Sequence, residues 1–254
     1  MIVTLASVRG SPGVTSWSLL LAGAWPADTG RERVVVEADL DGGVLGARYG
    51  LGVDPGVVSL IASLRRDGEI PVGEHGRAAG GGVWLLPGPE SAEQTRTVWS
   101  GTADAVAARL AGDDRVWLVD GGRVHAGAST LPLVARSAVT LVMCRPRPED
   151  IVQVPARVAA LRSAATVGVL VVGKTDYSGD ELCDFFGTPV VWTVAASDDL
   201  TALAGAVLVP GRARRSWVWR TALDVAARVA ELAANSPAAA ASPNGEEERV
   251  EVTA

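Results

Sequence analysis

The sequence predicts an α/β fold, a three-layer, doubly wound, mostly parallel sheet. Three observations carry this reading. Short β-branched apolar runs recur along the chain, segments with helical patterning lie between them, and a Gly-rich turn follows the first run. The runs are "IVTLA" (2–6), "VVVEAD" (34–39), "VWLLP" (83–87), "VWLVD" (116–120), "VTLVM" (139–143), "VGVLVV" (167–172) and "VVWTV" (190–194). They are nearly continuous rather than alternating, as expected of strands buried on both faces of a parallel sheet.

The segments 56–66, 91–111, 148–163 and 198–207 are long enough for crossover helices. Alternating β and α elements give a doubly wound arrangement. "AAGGGVW" (78–84) reads as a loop before a strand. A last helix is expected from Ser216 to about Ala233. Val218, Ala222, Val225, Val229 and Leu232 form one apolar stripe, and Trp219, Leu223, Ala226 and Ala230 the adjacent one. Thr221, Asp224 and Arg228 fall on the outer face, with Trp217 among them. Residues 1–234 are thus expected to form one domain, and the small, Pro-containing, finally acidic stretch 235–254 a disordered tail.

The chain has 254 residues, 48% of them apolar, which suits one large domain with a sizeable core. No apolar run approaches the ~20 residues of a membrane span, and the start does not read as a signal peptide. A cytoplasmic protein is expected. Cys144 and Cys183 lack metal-site neighbours, so they read as reduced thiols. His75 and His125 are the only histidines, and neither a zinc motif nor a Ser-His-Asp set can be assembled. The net charge of −6 disfavours wholesale nucleic-acid binding but leaves room for a local basic patch.

The chemistry concentrates in "SVRGSPGVTSW" (7–17), between the first run and the apolar helical stretch "WSLLLAGAW". Strand, Gly-rich turn and helix are the context of a phosphate cradle. Backbone N–H groups and the positive end of the helix would face an anion. Thr15 is placed to offer its hydroxyl to Mg2+, and Ser16 follows. Glu37, Asp39 and Asp41 close the second run, and Asp120 closes the fourth. Ligands of open parallel sheets bind beyond the carboxyl ends of the strands, where Asp120 would hold Mg2+ through water.

With these motifs the chain resembles the MinD/ParA family of deviant-Walker P-loop ATPases, in particular its degenerate actinobacterial MinD-like members. The family loop reads K-G-G-x-G-K-[ST]-[ST]. Arg9 stands at its signature lysine, Gly10 and Ser11 at the glycine pair, Pro12 at the variable site and Gly13 at the third glycine. Val14 replaces the phosphate-binding lysine, and Thr15 and Ser16 follow. The family's D-x-D pair falls on Glu37 and Asp39, and its Walker B turn on "DGGR" from Asp120. Lys174, the only lysine, lies in "VVGKTD", which resembles the family's base-recognition turn.

The resemblance implies a P-loop NTPase-like fold and ATP or ADP with Mg2+ as ligand. The binding residues would be Arg9, Gly10, Ser11, Gly13, Val14, Thr15, Ser16 and Lys174, the metal residues Thr15, Asp39 and Asp120, and the catalytic residues Asp39 and Asp120. It also implies a homodimer and a partner in division, chromosome partition or pilus/secretion machinery. Losing the lysine removes a charge-assisted hydrogen bond of about 1.5–3 kcal/mol, roughly 10- to 150-fold in affinity. A degenerate pseudo-ATPase regulator is therefore the first reading. An active switch using Arg9 in place of the lost charge stays open beside it. "GRARRSWVWR" (211–220) adds a third reading, non-specific DNA binding through Arg212, Arg214, Arg215 and Arg220, with Trp217, Arg214 and Arg215 as interaction residues. The acidic end of the chain argues against anionic lipid.

Overall fold

The structure is a computed structural model that describes residues 1–10, 12–27, 30–194, 196–197, 200, 204 and 216–236. β1 (Ile2–Ser7) leads into α1 (Val14–Ala24), and β2 (Arg33–Glu37) into α2 (Leu45–Tyr49), α3 (Val57–Asp67) and α4 (Val72–His75). β3 (Arg77–Gly80) and β4 (Val83–Leu86) precede α5 (Ala92–Trp99) and α6 (Ala103–Ala111). β5 (Val116–Arg123) is followed by α7 (Leu131–Ala135), and β6 (Val139–Cys144) by α8 (Pro148–Ile151) and α9 (Val154–Leu161). β7 (Thr166–Val172) precedes α10 (Gly179–Phe186), and β8 (Val191–Val194) and α11 (Trp217–Ala234) come last among the described elements.

The strands form one eight-stranded sheet in the order β3-β4-β2-β5-β1-β6-β7-β8. Every neighbouring pair is parallel except β3–β4. The chain first winds from β1 toward β2 and β4, and after β5 winds the other way through β6 to β8. The reversal puts a crevice at the carboxyl ends of β1 and β5, the usual ligand position in such sheets.

Three apolar clusters hold the layers together. On one face Leu5, Leu118 and Leu141 of the sheet pack with Trp17 and Leu20 of α1 and Val218 and Val225 of α11. On the other face Val36 and Val119 pack with Leu60 of α3 and Val106 of α6, while Val169 and Val171 pack with Val158 of α9 and Phe186 of α10. α1 is apolar or small nearly all round, and all its residues but Gly23 are buried. It lies between the central strands and α11, which explains why its sequence shows no polar face.

Three local features depart from the sequence reading. The expected loop at 78–84 is a hairpin, with β3 antiparallel to β4. Its two-residue turn is Gly81-Gly82, both with positive φ, as hairpin turns of this kind require. The expected helix at 91–111 breaks at Gly101 (φ +76°) into α5 and α6. The one at 148–163 breaks between α8 and α9, where Pro155, at the start of α9, supplies no N–H to continue the ladder. The segment 198–207 lies mostly outside the described residues.

α11 follows the expected span. Ser216 caps it, accepting the Trp219 N–H at 3.1 Å. Trp219 is 9% exposed in the core, and Trp217 is 40% exposed on the outer face. Leu223, placed by periodicity in the second stripe, is exposed instead. It stands about 100° beyond Ala222, past the edge of the packed row. Ser236 is still buried, and 237–254, the bulk of the expected tail, lie outside the described residues. No helix among the described residues is long and apolar enough to cross a membrane.

Replacing Trp219 by Ala is expected to destabilise the fold by about 3–5 kcal/mol. Trp217→Ala is expected to stay within about 0.5 kcal/mol of the parent. Denaturant midpoints of the two variants check this, and equal large losses would place both rings in the core.

Candidate functional site

The chain leaves β1 at Ser7 and turns through residues 8–13 into α1. Gly13 precedes the helix in the left-handed region, φ 98° and ψ 34°, where a side chain is strained. A Cβ there would come within 2.7 Å of Leu200 Cδ2, so the Leu200 side chain packs on the turn. Gly10 also has positive φ, and Arg9 beside it is exposed. Pro12 is buried and brings no N–H. Ser11, Arg214 and Arg215 lie outside the described residues.

α1 begins without a cap. Gly13 at the cap position makes no side-chain bond to the first-turn N–H groups, and no acidic residue stands in that turn. The first N–H groups of a helix have no partner within the helix, and here they belong to the buried residues Val14, Thr15 and Ser16. An anion at this end would satisfy them and gain from the helix dipole. The Val14 side chain takes no part in that. It is 7% exposed and belongs to the core cluster of Leu5, Trp17 and Leu141. Only its backbone faces the turn's chemistry.

Asp120 is fully buried and does not close its strand as expected, since β5 runs on to Arg123; it is paired across the sheet with Leu5 of β1 and Glu37 of β2. The Gly122 N–H donates to its Oδ1 at 3.2 Å, and its Oδ2 has no hydrogen-bond partner among the described residues. Burial pushes the carboxyl up to about 7, and the charges of Glu37 and Asp39 push the same way. The Thr15 hydroxyl and the Gly122 N–H favour ionisation but do not offset burial. The geometry thus brings together Thr15 of α1 and Asp120 of β5, two residues 105 positions apart in a sequence of 254.

The other acids have separate duties. Glu37 is buried, and its Oε1 accepts the N–H groups of Val44 at 2.6 Å and Leu45 at 2.9 Å, while Oε2 accepts that of Gly88 at 2.9 Å. Burial raises its pKa, and the three amides oppose that rise. It anchors the loops before α2 and after β4. Asp39 is partly buried, also with a raised pKa from burial, and accepts the Asp41 N–H at 2.9 Å. It lies so close to Gly122 that a Cβ there would touch its carboxyl carbon at 2.0 Å. Asp41 pairs with Arg123 at 2.7 Å and Arg96 at 3.3 Å. A residue the sequence did not single out, Asp150 of α8, is buried with its carboxyl oxygens 3.7 and 3.8 Å from where a Cβ on Gly10 would stand. A carboxylate here opposes an anion at the turn. Only the topology reveals it, because "RPED" carries no recognisable signal.

Lys174 is exposed on the turn after β7, which stands two strand positions from β1, about 10 Å across the sheet. Among the described residues no three His, Cys, Asp or Glu side chains group as a metal cluster. The Thr15 hydroxyl and the unpartnered Asp120 Oδ2 instead offer two hard oxygens. That suits Mg2+, which keeps several waters and takes phosphate oxygens rather than a full protein cage.

No protein-family model matches the chain, and no curated protein matches it in sequence. Solved structures do match in fold. The cell-division ATPase MinD of Pyrococcus furiosus superposes with a TM-score of 0.72 at 17% identity, over 91% of this chain and 98% of the other. A ParA-family ATPase from Chlorobium tepidum gives 0.69 at 14% identity, over 90% and 98%. The septum site-determining protein MinD of Pyrococcus horikoshii, solved with Mg-ADP, gives 0.69 at 17% identity, over 91% and 96%. The chain has the fold of the MinD and ParA ATPases.

The Asp120 carboxyl predicts a specific pH dependence. Its pKa rises from 3.8 to about 7 on folding, so the native state binds more protons than the unfolded state between those values. Stability therefore falls as pH rises from about 4 to 7, by on the order of 4 kcal/mol, and is then flat with respect to this group. Asp120→Asn removes the dependence. Its stability gain over the parent should be near zero at pH 4 and large at pH 8. Parallel pH profiles of the two proteins in denaturant titrations would contradict the assignment.

Proposed function

We propose that the chain is a MinD/ParA-like positioning or regulatory factor. Its βα turn binds ATP or ADP with Mg2+ weakly and hydrolyses ATP very slowly or not at all. Support comes from the fold it shares with the MinD and ParA ATPases, the uncapped N-terminus of α1, and the Thr15 hydroxyl beside Asp120, whose Oδ2 has no hydrogen-bond partner among the described residues. In this reading the backbone of Gly10 to Ser16 cradles the phosphates. Thr15 and Asp120, with Asp39 beside them, hold Mg2+, and Lys174 lies toward the base. Bound Mg2+ would neutralise phosphate charge. Arg9 reaches a nucleotide across a homodimer.

The observation that carries the pseudo-ATPase half of the proposal is the Val14 side chain. It packs into the core, so the turn has no cation of its own where the family lysine stands. That cation would act on charge developing in the transition state, and its loss harms turnover more than binding. The neighbouring Asp150 carboxyl adds a second handicap. The partner is a component of division, partition or pilus/secretion machinery. The active-switch reading requires Arg9 to supply the missing charge, and its exposed position at the turn keeps that reading testable.

Because position 14 faces the core, Val14→Lys is expected to lower stability by roughly 1–3 kcal/mol. It should not tighten Mg-ATP binding. Asp150→Asn is expected to tighten it. Steady-state phosphate release and calorimetric titration check both. Wild-type turnover at the level of active MinD or ParA proteins, abolished by Asp120→Ala and by Arg9→Ala, would favour the active switch.

A further inference from the structure

A cavity of about 500 Å3 opens on the sheet face opposite α1, between two loops at the carboxyl end of the sheet. Pro146, Ile151 and Val152 of the β6–α9 connection form one wall. Tyr177, Leu182 and Phe185, on and before α10, form the other. Val152, Tyr177 and Phe185 are each more than half exposed, more than any other large apolar side chain among the described residues. Three such side chains around one groove mark an interaction surface rather than scattered surface residues.

The charges around the groove limit what fills it. Glu181 lines it, and Glu149, Asp176, Asp180 and Asp184 are exposed on the same loops and helix. Glu181 caps α10 through the Ser178 N–H and hydroxyl, and the other four make no ion pair among the described residues. Arg147 and Lys174 are the exposed cations there, with Arg145 partly buried, so acids outnumber bases. Pairing the groove with the same groove of another copy would set acid against acid. A basic segment with a large apolar side chain fits instead.

The chain carries such a segment. "GRARRSWVWR" (211–220) holds Arg212, Arg214, Arg215 and Arg220 around Trp217. Trp217 opens α11 with its ring 40% exposed, and Arg220 is exposed on the next turn. An exposed indole beside arginines is the composition that anchors interfaces. It does not serve the groove of its own chain. α11 packs on the α1 face, and the groove lies on the α9–α10 face, with the sheet between.

We infer that the α8–α10 groove receives the Trp217 end of α11 from a second copy, giving a head-to-tail contact between chains. The two surfaces differ, so the contact is heterologous and propagates into rings or filaments unless one surface is blocked. It is separate from any pairing at the βα turn and needs no nucleotide.

The test uses the full chain without nucleotide in analytical ultracentrifugation. Wild type should form larger species as concentration rises and dissociate at 0.5 M salt. Trp217→Ala and Phe185→Ser should each weaken self-association at least tenfold. Mixed together, they should form a heterodimer that grows no further, because each retains one intact surface. Phe185 also meets the Phe186 ring at 5.5 Å between centroids. Tyr177→Ser, which spares that contact, replaces it if Phe185→Ser melts early. A fluorescent peptide of residues 211–220 should bind wild type at least tenfold more tightly than the groove variant. A monomer at every concentration, a mixture that stays monomeric, or a peptide that binds wild type and groove variant alike overturns the inference.

Discussion

Within a central strand, between Leu5 of one neighbour and Glu37 of the other, a buried carboxyl oxygen of Asp120 has no hydrogen-bond partner among the described residues. A buried polar group without a partner costs free energy, and a buried unpaired charge costs more. The chain meets that cost with a carboxyl pushed up to about 7. Glu37 faces the same burial and solves it differently, with three backbone N–H donors. One acid is completed by the protein and holds loops in place. The other is left incomplete at the crevice where the sheet reverses, beside the Thr15 hydroxyl. A hard cation would complete it.

The turn opposite is incomplete in the complementary sense. α1 is among the most buried helices of the molecule, yet its first turn has neither cap nor carboxylate. Capping side chains contribute about 1 kcal/mol where they occur, and their absence leaves donors for an anion. Thr15 belongs to both halves, so cation and anion would meet at one residue. What the arrangement lacks is fixed positive charge. Val14 lies in the core, and Asp150 brings negative charge to the Gly10 side. Under the proposed function, binding through backbone dipoles would survive this change better than catalysis, which needs charge aimed at the transition state.

Much of this was legible from residue patterns. Nearly continuous β-branched runs identified the strands of the parallel sheet because burial on both faces leaves no alternation. The Gly10–Gly13 turn was legible because helix starts have strong local signals, whereas Asp120 was expected to close a strand that runs on to Arg123. The hairpin at Gly81-Gly82 was missed because a Gly run reads equally as loop or turn. The helix breaks at Gly101 and Pro155 lie in stretches whose apolar periodicity carries straight across them. The anchoring role of Glu37, the approach of Asp150 to Gly10 and the inward packing of Val14 depend on contacts between distant segments. No window of sequence contains them. Leu223 shows the same limit on a smaller scale, since periodicity gives the direction of a face but not its width.

Under the proposed function a magnesium nucleotide would complete the site of Thr15 and Asp120. Calorimetric titration of Mg-ADP into the wild-type chain and into Thr15→Ala tests this most directly. Saturable one-site binding that requires Mg2+ and weakens at least tenfold in Thr15→Ala is the predicted result. No heat of binding with Mg-ADP or Mg-ATP at millimolar concentration, or equal affinity in the two proteins, would contradict it.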